Sequence, residues 1–389
     1  MSLSALLPVL REQPSYQNML ASLRAQRRPW VVGPGSSEKA YLLAALGDSL
    51  HLIDRGGVLI ITPSRDAAER LHDDLLTFVP QLESRLMLFP HWEMQGPYEG
   101  KMPAEAVGER LAILQRLHDE ESVWVVAPVE ALLRRISSPE EFRASARRVR
   151  KGERADRDQV AAFLAGSGYE RVDLVAEKGQ FAVRGGILDV FSPDVDAPAR
   201  LEWFGDEVES IRLFDLETQR STQDIDDVVL QPAVPGSGNA TLLDYLPPSS
   251  LLVLDEPFDL EHQANLAGER GAELEPDAFF SWGDLQERLH TASLRISSVH
   301  PPHEGAEEIA MHFGGVEAFG GQMKLLARAI ESWQNYGRRV VVASAQAERI
   351  TEILRGHGIQ STSVGSLAKV PEPGRTIVVG GPLSRGFQV

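Results

Sequence analysis

Eight residues, from Gly33 to Ala40, have the length of a phosphate-binding loop but depart from its template at two positions. The template ends in glycine, lysine and a serine or threonine, and here Glu38, Lys39 and Ala40 stand at those places. In a working loop, backbone N–H groups cradle the phosphates, the lysine adds positive charge and the hydroxyl binds Mg²⁺. Ala40 has no hydroxyl, and the carboxylate of Glu38 repels a polyanion. The motif therefore predicts a degenerate nucleotide site at Gly33, Glu38, Lys39 and Ala40.

The residues on either side place this loop in the setting that such a site requires. Trp30–Val32 is typical of a short buried strand, and the apolar stretch 41–46 is typical of a helix. Strand, loop and helix is the order found around phosphate loops. A plain Gly/Ser turn between a strand and a helix is the alternative, because short motifs also occur by chance.

Two acidic residues, Asp255 and Glu256, follow a later apolar run at 251–254. In helicase-type ATPases a strand ends in such a pair, in which the Asp holds Mg²⁺ and the Glu orients the attacking water. The alternative is two acids at a strand end with no chemical role. Because Ala40 cannot share Mg²⁺ with Asp255, the pair is predicted to be a remnant of an ATPase site.

The composition is that of a globular protein with several domains. The 389 residues are 43% hydrophobic and 24% charged, and at about 100–200 residues per domain they predict two to four domains. The chain has no Cys, which excludes disulfides and thiolate nucleophiles, and its ten His show no metal-binding spacing. No metal or cofactor is predicted. No apolar run approaches the ~18 residues of a membrane span, so we expect a cytoplasmic protein.

The net charge of −17 argues against a chain that wraps nucleic acid, because such binding depends on Lys and Arg at the phosphates. One basic run could still form a local positive patch for nucleic acid. Such runs are more commonly a solvated helix face and a linker. The run comprises Arg143, Arg147, Arg148, Arg150, Lys151, Arg154 and Arg157.

Unbroken apolar runs at 58–61, 123–126 and 251–254 are typical of strands buried on both faces of a parallel sheet. Between them, Ser64 is a predicted N-cap of a helix. After about residue 147 the pattern becomes strand-rich, with Gly205-Asp206 suited to a hairpin turn.

The order of these patterns predicts an α/β chain in which one domain is interrupted by another. A helicase-like parallel-sheet domain comprises 1–146 and 234–300, and a small α+β module, 147–233, is inserted into it. A second small α/β domain, 301–389, follows. Because no capping element follows Phe387-Gln388-Val389, we expect the chain to be a piece of a longer protein.

Several stretches together resemble the bacterial transcription-repair coupling factors (the Mfd family), whose first part is built like the excision-repair protein UvrB. They are 88–98 (LFPHWEMQGPY), 106–117 (AVGERLAILQRL), 169–173 (YERVD), 181–185 (FAVRG), 202–207 (EWFGDE) and 383–387 (LSRGF).

The resemblance implies a UvrB-like core whose phosphate loop is degenerate. It also implies that the parts of such factors that bind RNA polymerase and move along DNA lie beyond Val389. UvrB-like proteins insert a long aromatic hairpin into DNA between the segments that match Trp92 and Glu109, whereas this chain has a short connection there. We therefore expect no damage-clamping wedge.

The resemblance further implies that the inserted module binds the excision-repair protein UvrA. Arg171 and Arg184 match positions that the family uses for this contact, and arginine suits it because its planar fork pairs with carboxylates. Phe181 or Phe191 is expected to add an apolar anchor. The alternatives are that both Phe side chains fill the core and that either Arg makes an internal ion pair. Ala182 stands where UvrB has a basic residue.

The leading hypothesis is a non-catalytic module that recruits UvrA to stalled transcription, with no cofactor. The rival hypothesis is an active UvrB-like ATPase or helicase fragment, which predicts Mg²⁺-dependent ATP binding through Lys39 and hydrolysis that depends on Glu256. A third hypothesis, a DNA-binding accessory domain, requires salt-dependent binding through the basic run.

Overall fold

A computed structural model describes residues 2–91, 103–119, 121–233, 238–275, 277–300 and 307–389. The predicted short connection after Trp92, most of the 88–98 motif that the resemblance uses, and the start of the predicted third domain at 301–306 lie outside the described residues.

The described residues form strands and helices that alternate along much of the chain. Strands β1 to β20 are, in order, Trp30–Val32, Val58–Thr62, Leu86–Leu88, Trp124–Pro128, Arg147–Arg150, Glu170–Arg171, Gln180–Arg184, Ile187–Phe191, Ala199–Phe204, Glu207–Phe214, Ser221–Asp224, Asp227–Leu230, Leu251–Asp255, Leu294–Ser297, Glu308–Ala310, Gly314–Gly315, Val340–Ser344, Ser361–Val364, Thr376–Gly380 and Phe387–Gln388. Helices α1 to α13 are Leu7–Arg11, Pro14–Arg24, Ser36–Ser49, Leu52–Arg55, Arg65–Phe78, Ala104–His118, Val129–Leu133, Pro139–Ser145, Arg157–Gly166, Pro257–Leu274, Trp282–Leu289, Met323–Asn335 and Ala347–Gly356.

The first domain is built on a parallel sheet of seven strands in the order β15-β1-β14-β13-β2-β4-β3. Strands β2 and β4 are buried along their whole length, as their unbroken apolar runs predicted. Separate apolar cores cover the two faces of the sheet. Ser64 caps α5 as predicted, because its hydroxyl accepts a hydrogen bond from the backbone N–H of Ala67. The predicted α/β fold is confirmed.

The inserted module contains a six-stranded sheet in the order β11-β10-β9-β8-β7-β6, together with the antiparallel pair β5–β12. The predicted Gly205-Asp206 turn joins β9 to β10. One face of the sheet packs against α9 and the β5–β12 pair. In that pair Arg147 lies opposite Leu230, so the module enters and leaves the first domain at one place.

A glycine fixes the contact between the module and the first domain. A Cβ atom on Gly108 of α6 would lie 1.8 Å from the carbonyl oxygen of Pro193 in the module. Any side chain at position 108 would therefore push this part of the module away from α6.

The last part of the chain forms a three-stranded parallel sheet, β17-β19-β18, with α12 and α13 packed on it. The predicted domain 301–389 differs from the structure at its start, because β15 (Glu308–Ala310) pairs in parallel with β1 and extends the first sheet. Its end also returns to the first domain, where the ring of Phe387 lies 5.5 Å from that of Tyr41.

Candidate functional site

The structure brings the predicted nucleotide-site residues together at the carboxyl ends of β1 and β13. Gly33 follows β1, and Lys39 and Ala40 lie in the first turns of α3. Asp255 ends β13 and Glu256 begins the turn into α10. The carboxyl ends of parallel strands lie at one edge of the sheet, and only β14 separates β1 from β13, which is why residues more than 200 positions apart meet here.

Lys39 forms ion pairs with both Asp255 and Glu256. Its Nζ lies 2.6 Å from Oδ1 of Asp255 and 2.6 Å from Oε1 of Glu256, and the lysine is only 8% exposed. Glu256 also accepts hydrogen bonds from the hydroxyl of Ser297 and from the backbone N–H of Ser298. The charge that a phosphate loop offers to a nucleotide is therefore neutralised within the protein.

The pKa values in this cluster follow from burial and charge. Burial disfavours the charged form of Lys39, but Asp255 and Glu256 outweigh it and raise its pKa. Burial raises the pKa of Asp255 and is only partly offset by Lys39. For Glu256 burial acts in the same direction, but Lys39 and Ser298 outweigh it and lower its pKa. Lys39, Asp255 and Glu256 therefore form a buried cluster of ion pairs.

Glu38 lies against the loop itself. Its Oε2 atom is 3.1 Å from the place where a Cβ of Gly35 would be, and Glu38 is 7% exposed. Burial raises the pKa of Glu38, although its own backbone amide and the charges of Arg385 and Lys39 act in the opposite direction. On the other side, a Cβ on Gly33 would lie 2.0 Å from the carbonyl oxygen of Met311. Gly33 has φ of +115°, which glycine adopts readily.

The second predicted site lies on the sheet of the inserted module. Arg184, at the end of β7, donates from Nη2 to Oδ2 of Asp189 at 3.0 Å, and its side chain is 50% exposed. Asp189 is almost fully buried and also accepts from Nε and Nη2 of Arg200 at 2.7 and 2.9 Å. Arg184 thus makes the internal ion pair given above as an alternative, yet half of its side chain still faces solvent.

Arg171, in β6, is exposed, and its side chain makes no hydrogen bond or ion pair with any other described residue. It lies beside β7, with Arg171 opposite Phe181. Both predicted arginines are therefore accessible to a partner at this end of the sheet.

The prediction that Phe181 or Phe191 is a surface anchor is wrong. Phe181 is 1% exposed and packs in the core between the sheet and α9. Phe191 is 5% exposed and packs with Phe214 in a second small core on the opposite face of the sheet. A small module needs both aromatic side chains to bury enough apolar surface, so neither is available to a partner.

The sequence analysis missed Asp189 and Arg200, which hold Arg184 in place. Asp189 lies between Leu188 and Val190, so strand alternation puts its carboxylate on the face opposite their core. An acidic residue inside an apolar strand, with an arginine on the neighbouring hairpin strand, was the available signal.

The basic run is divided among several elements of the fold. Arg143 is on α8, Arg147 and Arg148 are on β5, and Arg157 begins α9. Arg148 pairs with Asp227 at 2.7 Å, and Arg157 pairs with Asp158 at 2.6 Å. These pairs offset two of the seven positive charges of the run, and its division among separate elements keeps it from forming one continuous helix face.

Residues 148–234 match the family model of the UvrB interaction domain. Over 224 residues, or 56% of this chain, the chain is 37% identical to the transcription-repair-coupling factor of Myxococcus xanthus. Identity to the factor of Escherichia coli is 34% over 179 residues, or 46% of this chain. For the Bacillus subtilis factor it is 25%, with 98% of this chain covered. The chain is related to the transcription-repair-coupling factors.

This relationship confirms the resemblance found in the sequence. The match covers 18%, 15% and 39% of the lengths of the M. xanthus, E. coli and B. subtilis factors, so the chain spans well under half of each. None of the helices in the described part of the chain is long and apolar enough to cross a membrane.

Proposed function

We propose that this chain recruits UvrA through residues 148–234 and so links excision repair to transcription. The observation that carries the proposal is the match of this segment to the UvrB interaction domain, on a sheet that presents Arg171 and Arg184 to solvent. The relatives that it matches are named for transcription-repair coupling. We place the protein in the cytoplasm, where its partners would be met.

Arg184 is suited to the role of a main contact. The buried carboxylate of Asp189 fixes one side of its guanidinium, so less side-chain freedom is lost when a partner binds. The exposed remainder of the fork can pair with a carboxylate of UvrA. Asp189 keeps Arg200 as a partner when Arg184 is removed, so the change should leave the module folded.

We further propose that the chain does not hydrolyse ATP, and that RNA polymerase and DNA bind other parts of a longer protein. The ion pairs of Lys39 and the absence of a hydroxyl at Ala40 support a degenerate phosphate loop. A nucleotide would have to break two buried ion pairs before it gained the lysine.

Titration of UvrA into purified variants of the chain tests the proposed contact. Arg184→Ala is expected to weaken binding by about 2–5 kcal/mol, the usual cost of removing one partner of a desolvated charge pair. Arg171→Ala should weaken it as well. Arg150→Ala removes an exposed arginine of the neighbouring β5 strand and should leave the affinity unchanged. Equal affinities for the wild type and both test variants would contradict the proposal.

A further inference from the structure

Exposed arginines and a tyrosine lie together where the strands of the last sheet begin. This arginine edge comprises Tyr336, Arg338, Arg339 and Arg375. Arg339 and Arg375 immediately precede Val340 and Thr376, the first paired residues of β17 and β19. The backbone N–H of Val340 donates to the carbonyl oxygen of Arg375 at 2.9 Å. The two arginines therefore stand next to each other at the start of neighbouring strands.

The positive charges of the arginine edge are not neutralised by the described part of the chain. Arg338, Arg339 and Arg375 are exposed, and their side chains make no hydrogen bond or ion pair with any described residue. Glu372 is the acidic residue closest to them in the sequence, and it pairs with none of them. Because like charges that lie side by side repel each other, an anion from outside would stabilise this edge.

Tyr336 adds an aromatic ring to the arginine edge. It directly follows α12 and is 82% exposed, so its ring contributes little to the core of this region. The backbone N–H of Tyr336 donates to the carbonyl oxygen of Ser332 at 3.1 Å, and that of Arg338 donates to Trp333 at 2.9 Å. These bonds fix the backbone on both sides of the ring, which is left free to contact a partner.

Arginines beside an exposed aromatic ring fit a single strand of nucleic acid. The planar guanidinium group pairs with phosphate oxygens through two hydrogen bonds. Proteins that bind single strands combine such charges with aromatic side chains on which bases stack. A duplex keeps its bases stacked on one another, and an acidic peptide offers no flat base to Tyr336. These contacts are common to DNA and RNA.

We propose that the arginine edge binds single-stranded nucleic acid, with Arg339 and Arg375 paired to phosphates and Tyr336 stacked on a base. The contact is independent of base sequence and weak, with a dissociation constant on the order of 10–100 µM. It is weak because only three arginines take part and the whole chain carries a net charge of −17. It is an accessory to the DNA binding proposed above for other parts of a longer protein, and it does not depend on UvrA.

The test is fluorescence anisotropy of a labelled oligothymidylate of about 12 nucleotides, within the usual site sizes of single-strand binders. The intact chain is titrated into it at several salt concentrations. The variants are the double change Arg339→Ala/Arg375→Ala, Tyr336→Ala, and Tyr336→Phe, which keeps the ring. Arg349→Ala is the matched control, since Arg349 is an exposed arginine near the start of α13, at the other edge of the same sheet.

We expect the double variant to bind at least about tenfold more weakly than the wild type. Its logarithmic salt dependence should be less steep by about 1.4, because each phosphate contact on a single strand contributes about 0.7. Tyr336→Ala should weaken binding at least about fivefold, the low end for the loss of one stacked base. Tyr336→Phe and Arg349→Ala should bind as the wild type does, and an oligouridylate of equal length should bind as the oligothymidylate does.

The proposal is overturned if the wild type does not bind the oligonucleotide, or if the double variant binds it equally well. Binding that is lost only in Arg150→Ala/Arg154→Ala would assign the contact to the basic run and overturn it too. Polyglutamate of the same charge is the competitor for the rival partner, an acidic protein segment. If polyglutamate displaces the oligonucleotide at equal concentration, the arginine edge does not select nucleic acid and the proposal is wrong.

Discussion

At the scale of single residues, Lys39 pairs with two carboxylates at the position where the phosphate-loop template has its lysine. The lysine neutralises Asp255 and Glu256 in a buried place, and both acids lie within 2.6 Å of its Nζ. We propose that the lysine of this motif contributes to stability here. The motif could be read from the sequence, but the exchange of partners could not, because it depends on side-chain positions across the sheet.

Removal of Lys39 should be costly for stability. Lys39→Ala leaves two buried carboxylates without a counter-ion, and we expect the free energy of unfolding to fall by about 3–5 kcal/mol. Urea denaturation measures this loss. Arg148→Ala is the control, since it breaks an exposed pair with Asp227 and should cost less than about 1 kcal/mol. Similar losses in both variants would contradict a buried ion cluster.

The stability contributed by Glu38 should depend on pH. Its pKa in the folded chain is raised above the ordinary value of 4.5, chiefly by burial. A raised pKa means that the folded state binds the proton more tightly, so stability is lost as pH rises through the folded-state pKa. Glu38→Gln should therefore be more stable than the wild type at pH 7, and the difference should disappear below pH 4.5. Urea denaturation at the two pH values checks this, and a difference that grows in acid would contradict it.

At the scale of elements, the sequence predicted those strands and helices whose local patterns were strong. Strands β2, β4 and β13 were recognised from unbroken apolar runs, and the β9–β10 turn from Gly205-Asp206. Strand β15 was not placed correctly, since Glu308–Ala310 has only one residue that faces a core. Its position comes from pairing with the edge of a sheet formed by distant segments, which local pattern does not encode.

The contact between α6 and the module depends on Gly108. Gly108→Ala would put a methyl group 1.8 Å from the oxygen of Pro193, so we expect a loss of about 1–3 kcal/mol in urea denaturation. Gly268→Ala, in α10, meets no atom within 4 Å and should instead stabilise the chain by about 0.5–1 kcal/mol. A stabilising effect at both positions would show that the module does not rest on α6 in this way.

At the scale of the whole molecule, the chain combines a helicase-like sheet, an inserted module and a last region that is hydrogen-bonded to the first domain. Asp74 accepts hydrogen bonds from the hydroxyl of Ser37 and from the backbone N–H of Ser384, and so holds the end of the chain beside the phosphate loop. The sequence predicted the interrupted arrangement, whereas the contact of Arg171 and Arg184 with a partner stays a prediction. The burial of Phe181 and Phe191 was the alternative given from the sequence, and the structure explains it, because this small sheet has an apolar core on each face.

The most direct test of the account compares UvrA binding by the intact chain and by a chain without the module. Because Arg147 and Leu230 lie opposite each other, residues 148–229 can be replaced by a short Gly/Ser linker that leaves the first sheet intact. In calorimetric titrations we predict that UvrA binds the intact chain and gives no binding heat with the shortened chain, whose cooperative thermal unfolding is retained. Equal binding of UvrA by a folded shortened chain would contradict the account.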